Sequence, residues 1–195
     1  MRSLTLLDER GAMPSLQALS EQDATRPVVL IGFQKQGNLG IGYLAATLMR
    51  RGHRVKVLDF EDAAEQILAT IKAEVPVVVG FSLIFQFYLP RFRVLMQYLR
   101  NHGVRCHFTI GGHFPSLSHE RTLELIPEVD SVVRFEGEVT LLELVESLIH
   151  DQDWRRIDGL AYRRDGRFVS NPLRHLLDDL DVLPFPYRQY EPTAI

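Results

Sequence analysis

Three short turns, rich in glycine and other small residues, each follow an apolar, strand-like run and precede a helical pattern. They are the segments 36–40 (Gln-Gly-Asn-Leu-Gly), 80–83 (Gly-Phe-Ser-Leu) and 111–115 (Gly-Gly-His-Phe-Pro). In an open parallel sheet, turns of this kind all lie at the carboxyl edge, so segments far apart in sequence can converge on one ligand. Small side chains at that edge leave room for a large ligand.

The chain alternates strand and helix patterns through five successive β-α units. Strands are predicted at residues 28–33, 54–60, 77–81, 104–110 and 131–135, and helices at 40–51, 62–74, 89–101, 119–126 and 139–150. Short connections and right-handed crossovers then give an α/β fold. We predict a flavodoxin-like (Rossmann-like) doubly wound parallel sheet of five strands in the order 2-1-3-4-5.

The pattern changes after residue 150. Two strand-like runs, 160–163 and 167–170, flank Asp165-Gly166, a dipeptide typical of a tight turn, and predict a β-hairpin added to the sheet edge. The predicted organisation is a lead-in at 1–26 with a short helix near 15–19, an α/β domain at 27–151, the hairpin extension at 152–175 and an acidic, proline-containing linker at 176–195.

Composition excludes several classes of protein. The net charge of -3, with both signs spread along the chain, gives no reason to expect nucleic acid or an anionic membrane as a partner. No apolar run approaches the roughly 20 residues that span a bilayer, and acidic Asp8 and Glu9 stand where a signal peptide would be apolar, so we expect a cytoplasmic protein. The single cysteine, Cys106, can form neither an internal disulfide nor a multi-thiolate metal site, and its strand-like setting indicates a buried small side chain.

The predicted strand order places the ligand crevice between strands one and three. Its walls would be the loops at 34–39 and 82–86, with 111–116 alongside. Gly111-Gly112 suits a close backbone approach or a positive φ angle, and the Ser82 hydroxyl can donate or accept a hydrogen bond.

These segments, in this order and spacing, resemble one known family. The residues that carry the resemblance are 40–59, 80–83, 111–113, the Phe-Glu-Gly-Glu turn at 135–138, the Gly-Leu-Ala-Tyr segment at 159–162 and the linker at 178–186. Across residues 27–187 the chain is similar to the N-terminal half of cobalamin-dependent radical S-adenosylmethionine enzymes. The resemblance implies a flavodoxin-like cobalamin-binding domain joined by a linker to a barrel-shaped radical domain, in a family that includes methyltransferases and the anaerobic cyclase of bacteriochlorophyll synthesis.

The chain departs from the cobalamin motif Asp-x-His-x-x-Gly, whose histidine binds cobalt from below. The corresponding residues are 35–40, where Gly37 replaces the histidine and Gly40 retains the final glycine. The resemblance therefore implies a cobalamin held with no histidine lower ligand from this motif.

A second departure is the absence of the Cys-x-x-x-Cys-x-x-Cys motif that holds the four-iron four-sulfur cluster of the radical domain. We expect this chain not to be catalytic alone. The cluster and S-adenosylmethionine would belong to a radical catalytic domain in the same gene product or in another chain, and the sequence leaves open whether the domain is truncated or stands alone.

The resemblance also implies which residues contact the cofactor. One group of these residues forms the loop beneath the corrin, and three further groups follow the third, fourth and fifth strands. No catalytic residue and no protein ligand to a metal is expected. For the two glutamates, a role as first-turn helix charges is an equal alternative. The cofactor-binding residues are Gln34, Lys35, Gln36, Gly37, Asn38 and Leu39; Ser82 and Leu83; Gly111, Gly112, His113 and Phe114; and Glu136, Gly137 and Glu138.

Two other functions remain open from the sequence. The domain can bind a flavin or nucleotide, for which Asp59 at the end of strand two stands where a ribose-binding acid would fall. Alternatively, the domain has kept the fold, has lost the ligand and serves as a docking surface.

Overall fold

The computed structural model describes residues 26–35, 37–175 and 180–188. Within them, one sheet has the strand order β2-β1-β3-β4-β5-β6-β7. The first five strands pair in parallel and the last two are antiparallel, which confirms the predicted fold and the added hairpin. The strands are β1 Val28–Gly32, β2 Val55–Asp59, β3 Val78–Ser82, β4 His107–Gly111, β5 Ser131–Val133, β6 Leu160–Arg164 and β7 Arg167–Ser170. The predicted lead-in lies outside the described residues, apart from Arg26.

Helices cover both faces of the sheet. They are α1 Leu39–Arg50, α2 Ala64–Glu74, α3 Leu89–Asn101, α4 His113–Leu117, α5 His119–Leu125 and α6 Glu138–Ile149. Apolar side chains of α1 and α6 pack on one face, and those of α2, α3 and α5 pack on the other. None of the helices in the described part of the chain is both long enough and apolar enough to cross a membrane.

The two faces of the central strands carry side chains of very different size. Toward α2 and α3 they present large residues such as Phe81 and Phe108, which join an aromatic cluster in which the rings of Phe60 and Phe92 stack at 3.9 Å. Toward α1 and α6, successive cross-strand partners are small. The paired positions are Gly80 with Thr109 and Ser82 with Gly111. Near the carboxyl edge of the sheet, large side chains therefore pack densely on the face toward α2 and α3, whereas small side chains leave space on the face toward α1 and α6.

Beyond shifts of one or two residues at element ends, the structure differs from the sequence prediction around β4 and β5. The segment after Gly111-Gly112 is a short helix, α4, rather than only a turn. Strand β4 begins later than predicted because the Arg100 guanidinium, rather than a neighbouring strand, binds the carbonyl groups of Val104 and Cys106. Strand β5 ends early because Phe135 adopts a positive φ of 59°, a conformation that does not continue a strand.

The predicted hairpin turn has the expected geometry, with φ angles of 51° at Asp165 and 74° at Gly166. The part of the predicted linker at 180–188 packs against α1: the Tyr187 N–H donates to the Gly42 carbonyl at 3.0 Å. A Cβ atom on Gly42 would lie 2.7 Å from the Tyr187 carbonyl oxygen, so this close approach requires glycine. The rest of the predicted linker, 176–179 and 189–195, lies outside the described residues.

Two histidines at the amino edge of the sheet, the buried His53 and the partly buried His107, make stability depend on pH. Burial lowers the pKa of both His53 and His107 from 6.5 to about 4. The unfolded chain therefore takes up protons first as the pH falls, and stability is lost between about pH 6.5 and pH 4. Between pH 7 and pH 5 we expect the free energy of unfolding to drop by up to about 2 kcal/mol for each histidine.

Urea unfolding at the two pH values measures this drop. The variant His53→Gln should remove about half of the pH dependence. A free energy of unfolding equal at pH 7 and pH 5 would contradict the prediction.

Candidate functional site

A cleft opens at the carboxyl edge of the sheet between α1 and α6. The floor is formed by the buried ends of β1, β3 and β4, and the mouth by the loops that follow β3, β4 and β5. The lining residues are Leu30, Gly40, Ile41, Leu44, Gly80, Phe81, Ser82, Thr109, Gly111, Gly112, Val133, Phe135, Gly137, Glu138 and Leu141.

The cleft exists because glycines replace larger side chains on this face. A Cβ atom on Gly80 would lie 2.9 Å from Leu30 Cδ2, and one on Gly32 would lie 2.5 Å from Ile41 Cδ1. Each added methyl would therefore displace a neighbouring side chain. The lack of side chains at Gly32 in β1 and Gly80 in β3 therefore keeps the space between α1 and α6 open.

The cleft encloses about 130 Å³. An engineered apolar cavity of roughly 150 Å³ in another protein binds benzene, so this space is of the size that takes an aromatic ring. It is too small for a whole macrocycle, which would have to lie outside the mouth.

Apart from Thr109, the polar side chains described at the cleft lie at its mouth and edge. Asn38 Nδ2 lies 3.4 Å from Ser82 Oγ, while Asn38 Oδ1 accepts from the Ile41 N–H at 3.1 Å and so caps α1. Glu138 begins α6. Burial raises the pKa of its carboxyl above the ordinary value, and the nearby Glu136 acts in the same direction. The mouth therefore offers one hydroxyl and one carboxyl that is more readily protonated than usual.

Gly112 allows the main chain to pass close to Leu83 at the mouth of the cleft. It has φ 113° and ψ -176°, and a Cβ atom there would lie 2.2 Å from the Leu83 carbonyl oxygen. Leu83 N–H in turn donates to the Gly111 carbonyl at 2.9 Å. The close backbone approach expected at Gly111-Gly112 is thus made by the chain that follows β3.

Asp59, at the end of β2, holds the loop that follows β1. Its side chain is 1% exposed and accepts three main-chain hydrogen bonds: from Gln34 at 2.9 Å, Lys35 at 3.0 Å and Glu61 at 2.7 Å. Both carboxylate oxygens therefore accept hydrogen bonds from the protein itself. In this respect Asp59 differs from an acidic residue that binds the hydroxyl groups of a ribose.

Replacing Asp59 with alanine should strongly destabilise the domain. Three main-chain donors would lose a buried charged acceptor, and hydrogen bonds to charged groups contribute about 1.5–3 kcal/mol each without being additive. We expect Asp59→Ala to lower the free energy of unfolding by about 3 kcal/mol. Glu61→Ala, which removes an exposed neighbouring carboxylate, is the control. A loss below about 1 kcal/mol for Asp59→Ala would show that the loop does not depend on this anchor.

The structure brings together some of the cofactor-binding residues expected from the sequence. Ser82, Gly111, Gly112, Gly137 and Glu138 line the cleft, and Glu136 adjoins it in sequence. Gln34, Lys35, Gly37, Asn38 and Leu39 form the loop and helix start beside the mouth, with Gln36 outside the described residues.

Three of the expected residues lie elsewhere. The side chains of Leu83 and Phe114 pack in the core on the opposite face of the sheet, and His113 is exposed at the start of α4. Within the described residues, no group of three or more His, Cys, Asp or Glu side chains is arranged to hold a metal ion.

The sequence analysis missed the apolar interior of the cleft. A signal for it was present in the period-two alternation of the strands, because Gly32, Gly80 and Thr109 fall on the same face as Ser82 and Gly111. The cleft residues absent from the predicted set are Leu30, Gly40, Ile41, Leu44, Gly80, Phe81, Thr109, Val133, Phe135 and Leu141.

Exposed apolar side chains lie on the segments that follow β1, β3 and β5 at the carboxyl edge and are called the apolar rim below. They are Leu39, Phe85, Phe87 and Phe135, of which Phe87 is 72% exposed. Tyr88 and Leu89, which follow Phe87 in the chain, instead pack against the core. Large exposed apolar side chains gathered at one edge are typical of an interaction surface.

The fold and the cleft define a doubly wound α/β domain with a cleft at its carboxyl edge that is about the size of an aromatic ring. The sequence profile of the B12 binding domain matches residues 28–145. The chain belongs to this family of cobalamin-binding domains, which confirms the cofactor expected from the sequence.

Individual relatives agree with the family resemblance. The chain is 32% identical over 151 residues to the uncharacterized methyltransferase PH0819 of Pyrococcus horikoshii, covering 76% of this chain and 32% of that protein. It is 30% identical over 149 residues to the anaerobic magnesium-protoporphyrin IX monomethyl ester cyclase of Synechocystis, covering 74% and 30%. The chain thus spans about a third of the length of these curated relatives.

A solved structure shares the fold. The cobalamin-dependent S-adenosylmethionine radical enzyme OxsB, with aqua-cobalamin and S-adenosylmethionine bound, superposes with a TM-score of 0.69 at 21% identity, over 84% of this chain and 24% of that one. The chain is therefore a cobalamin-binding domain with a fold that is also found in part of that enzyme.

The residues present fit this cofactor. A Cβ atom on Gly80 would begin to fill the cleft. The size of the cleft suits one aromatic group such as the benzimidazole of the cobalamin tail. Gln34 Nε2, in the loop beside the mouth, is buried without a hydrogen-bond partner among the described residues. Such a donor is costly to leave unpaired and marks a position where a ligand acceptor would be stabilising.

Proposed function

We propose that this chain holds cobalamin for a radical S-adenosylmethionine enzyme of the methyltransferase or cyclase type, with the benzimidazole tail in the cleft and the corrin outside its mouth. The observation that carries the proposal is the ring-sized cleft lined by Gly80, Ser82 and Gly111 between α1 and α6. When bound, cobalamin supplies a cobalt centre that can carry a methyl group or take part in radical chemistry.

The loop at 34–39 is proposed to lie beneath the corrin and to present no imidazole to it. Gly37 has a positive φ of 70° and nothing lies within 4 Å of where its Cβ atom would be. The loop is held from behind by Asp59, which fixes the main chain at Gln34 and Lys35. A lower cobalt face without a strong donor should favour low coordination numbers, which suit gain and loss of a methyl group.

At the mouth, Ser82 and Glu138 are proposed to contact the polar part of the cofactor tail. Ser82 lies half-buried between the cleft and Asn38 and can both donate and accept. Glu138 can donate when protonated, a state favoured by its burial. Lys35 is exposed beside the mouth and carries the positive charge that a tail phosphate prefers.

The catalytic groups are proposed to lie in a radical domain, in the same gene product or in a separate chain, which contributes the four-iron four-sulfur cluster and S-adenosylmethionine. The apolar rim, with Phe85 46% and Phe87 72% exposed, is the surface proposed to face the corrin and that domain. Burying such side chains is favourable by about 25 cal/mol per Å² of apolar surface.

The experiment that tests the proposal is binding of hydroxocobalamin to the purified chain. After removal of free cofactor on a sizing column, we expect close to one cobalamin per chain and a visible spectrum in which the benzimidazole no longer coordinates cobalt. Circular dichroism of the same fractions verifies that the chain is folded.

Two outcomes would count against it. A folded but colourless protein would refute cofactor binding by the isolated domain. Binding with the benzimidazole still coordinated to cobalt would refute placement of the tail in the cleft.

A further inference from the structure

Among the described residues that line the interior of the cleft, no side chain is free to form a hydrogen bond with a ligand. The one polar residue among them, Thr109, turns its methyl group toward the cleft: Thr109 Cγ2 lies 3.8 Å from the position of a Cβ atom on Gly80. The Thr109 hydroxyl points instead to the neighbouring strand, where it donates to the Ser131 carbonyl at 3.2 Å and accepts from Ser131 Oγ at 2.9 Å.

The remaining interior surface is hydrocarbon or paired backbone. The side chains of Leu30, Ile41 and Leu141 are at most 2% exposed and line the cleft from β1, α1 and α6. The main chain of the floor is engaged in the parallel pairing of β1 with β3 and of β3 with β4. Groups that can bind a polar ligand atom, Ser82 and Glu138, occur only toward the mouth.

This distribution of polarity discriminates between aromatic bases of similar size. The far edge of dimethylbenzimidazole is hydrocarbon and enters the interior without losing a hydrogen bond. An adenine base carries an exocyclic amine and additional ring nitrogens, which would leave water and find no partner in the interior. Each buried unsatisfied polar group weakens binding by roughly fivefold to a hundredfold.

We propose that the cleft selects corrinoids whose lower base has an apolar edge, of the benzimidazole class, over corrinoids with an adenine lower base. The inference rests on the proposed function, because it requires the lower base to occupy the cleft. It adds a specificity that depends on Leu30, Thr109 and Leu141 rather than on the loops at the mouth.

The test compares the dissociation constants of cobalamin and of the corrinoid with adenine as its lower base, both as dicyano forms in excess cyanide. In these forms neither base coordinates cobalt, so the different strengths of the two bases as cobalt ligands do not enter. Titration of the folded chain should give at least tenfold tighter binding of the benzimidazole form.

A variant adds a partner for the polar base. Leu44→Gln places an amide on the half-buried cleft wall of α1, and should reduce the preference by improving the affinity for the adenine form. Val94→Gln makes a comparable change on α3, where the side chain is 64% exposed and far from the lining, and should leave both constants unchanged.

The outcomes separate the two proposals. Equal affinities, or tighter binding of the adenine form, would overturn the base selectivity while leaving cobalamin binding intact. Failure of both dicyano corrinoids to bind a chain shown to be folded would instead refute the proposed function, and the selectivity with it.

Discussion

Gly80→Val should abolish cobalamin binding while leaving the domain folded. The new side chain would start 2.9 Å from Leu30 Cδ2 and extend into the 130 Å³ that the cleft encloses. Because this is the volume proposed for the ring of the cofactor tail, we expect the dissociation constant for hydroxocobalamin to rise by a hundredfold or more. Valine favours strands, and the clash is with the end of a flexible side chain, so overpacking should cost at most about 1–3 kcal/mol.

The measurement is a cobalamin titration, with urea unfolding of the same variant as the check on folding. Ser170→Val, which introduces the same side chain at an exposed strand position of the hairpin, should bind like the unmodified chain. Unimpaired binding by a folded Gly80→Val protein would show that the cofactor tail lies elsewhere.

Gly112→Ala should have the largest effect on stability. Its backbone, with φ 113° and ψ -176°, is in a region that only glycine adopts readily. The added Cβ atom would lie 2.2 Å from the Leu83 carbonyl oxygen, and main chain cannot move aside as a side chain can. We expect a loss of more than about 3 kcal/mol, enough to leave much of the protein unfolded at 37 °C.

Gly103→Ala is a matched control for this prediction. Gly103 also has a positive φ, 88°, but nothing lies within 4 Å of its Cβ position. It should therefore cost only the backbone strain, about 1 kcal/mol, in a denaturant titration. Similar losses for the two alanine variants would show that the contact with Leu83 is unimportant.

Gly80 and Gly112 illustrate why residues of one type needed the tertiary structure to be told apart. Both belong to small-residue segments that the sequence placed at strand ends, and the sequence favoured Gly111-Gly112 as the place where a ligand approaches the backbone. In the structure Gly112 accommodates the main chain at Leu83, whereas Gly80, in the middle of a buried strand, opens the space for a ligand. The sequence alone does not show which atoms a side chain at a glycine position would contact.

The sequence by itself determined the α/β fold, the order of the five parallel strands, the hairpin and the family. These depend on local periodicity, on turn residues such as Asp165-Gly166 and on the handedness of crossovers, all of which act over short separations along the chain. Only the tertiary structure decided that the small residues of β1, β3 and β4 meet on one face between α1 and α6, and that Thr109 turns its methyl group inward. The physical reason is that a cavity is a property of distant residues packed together, and its polarity depends on side-chain orientations that cross-strand partners impose.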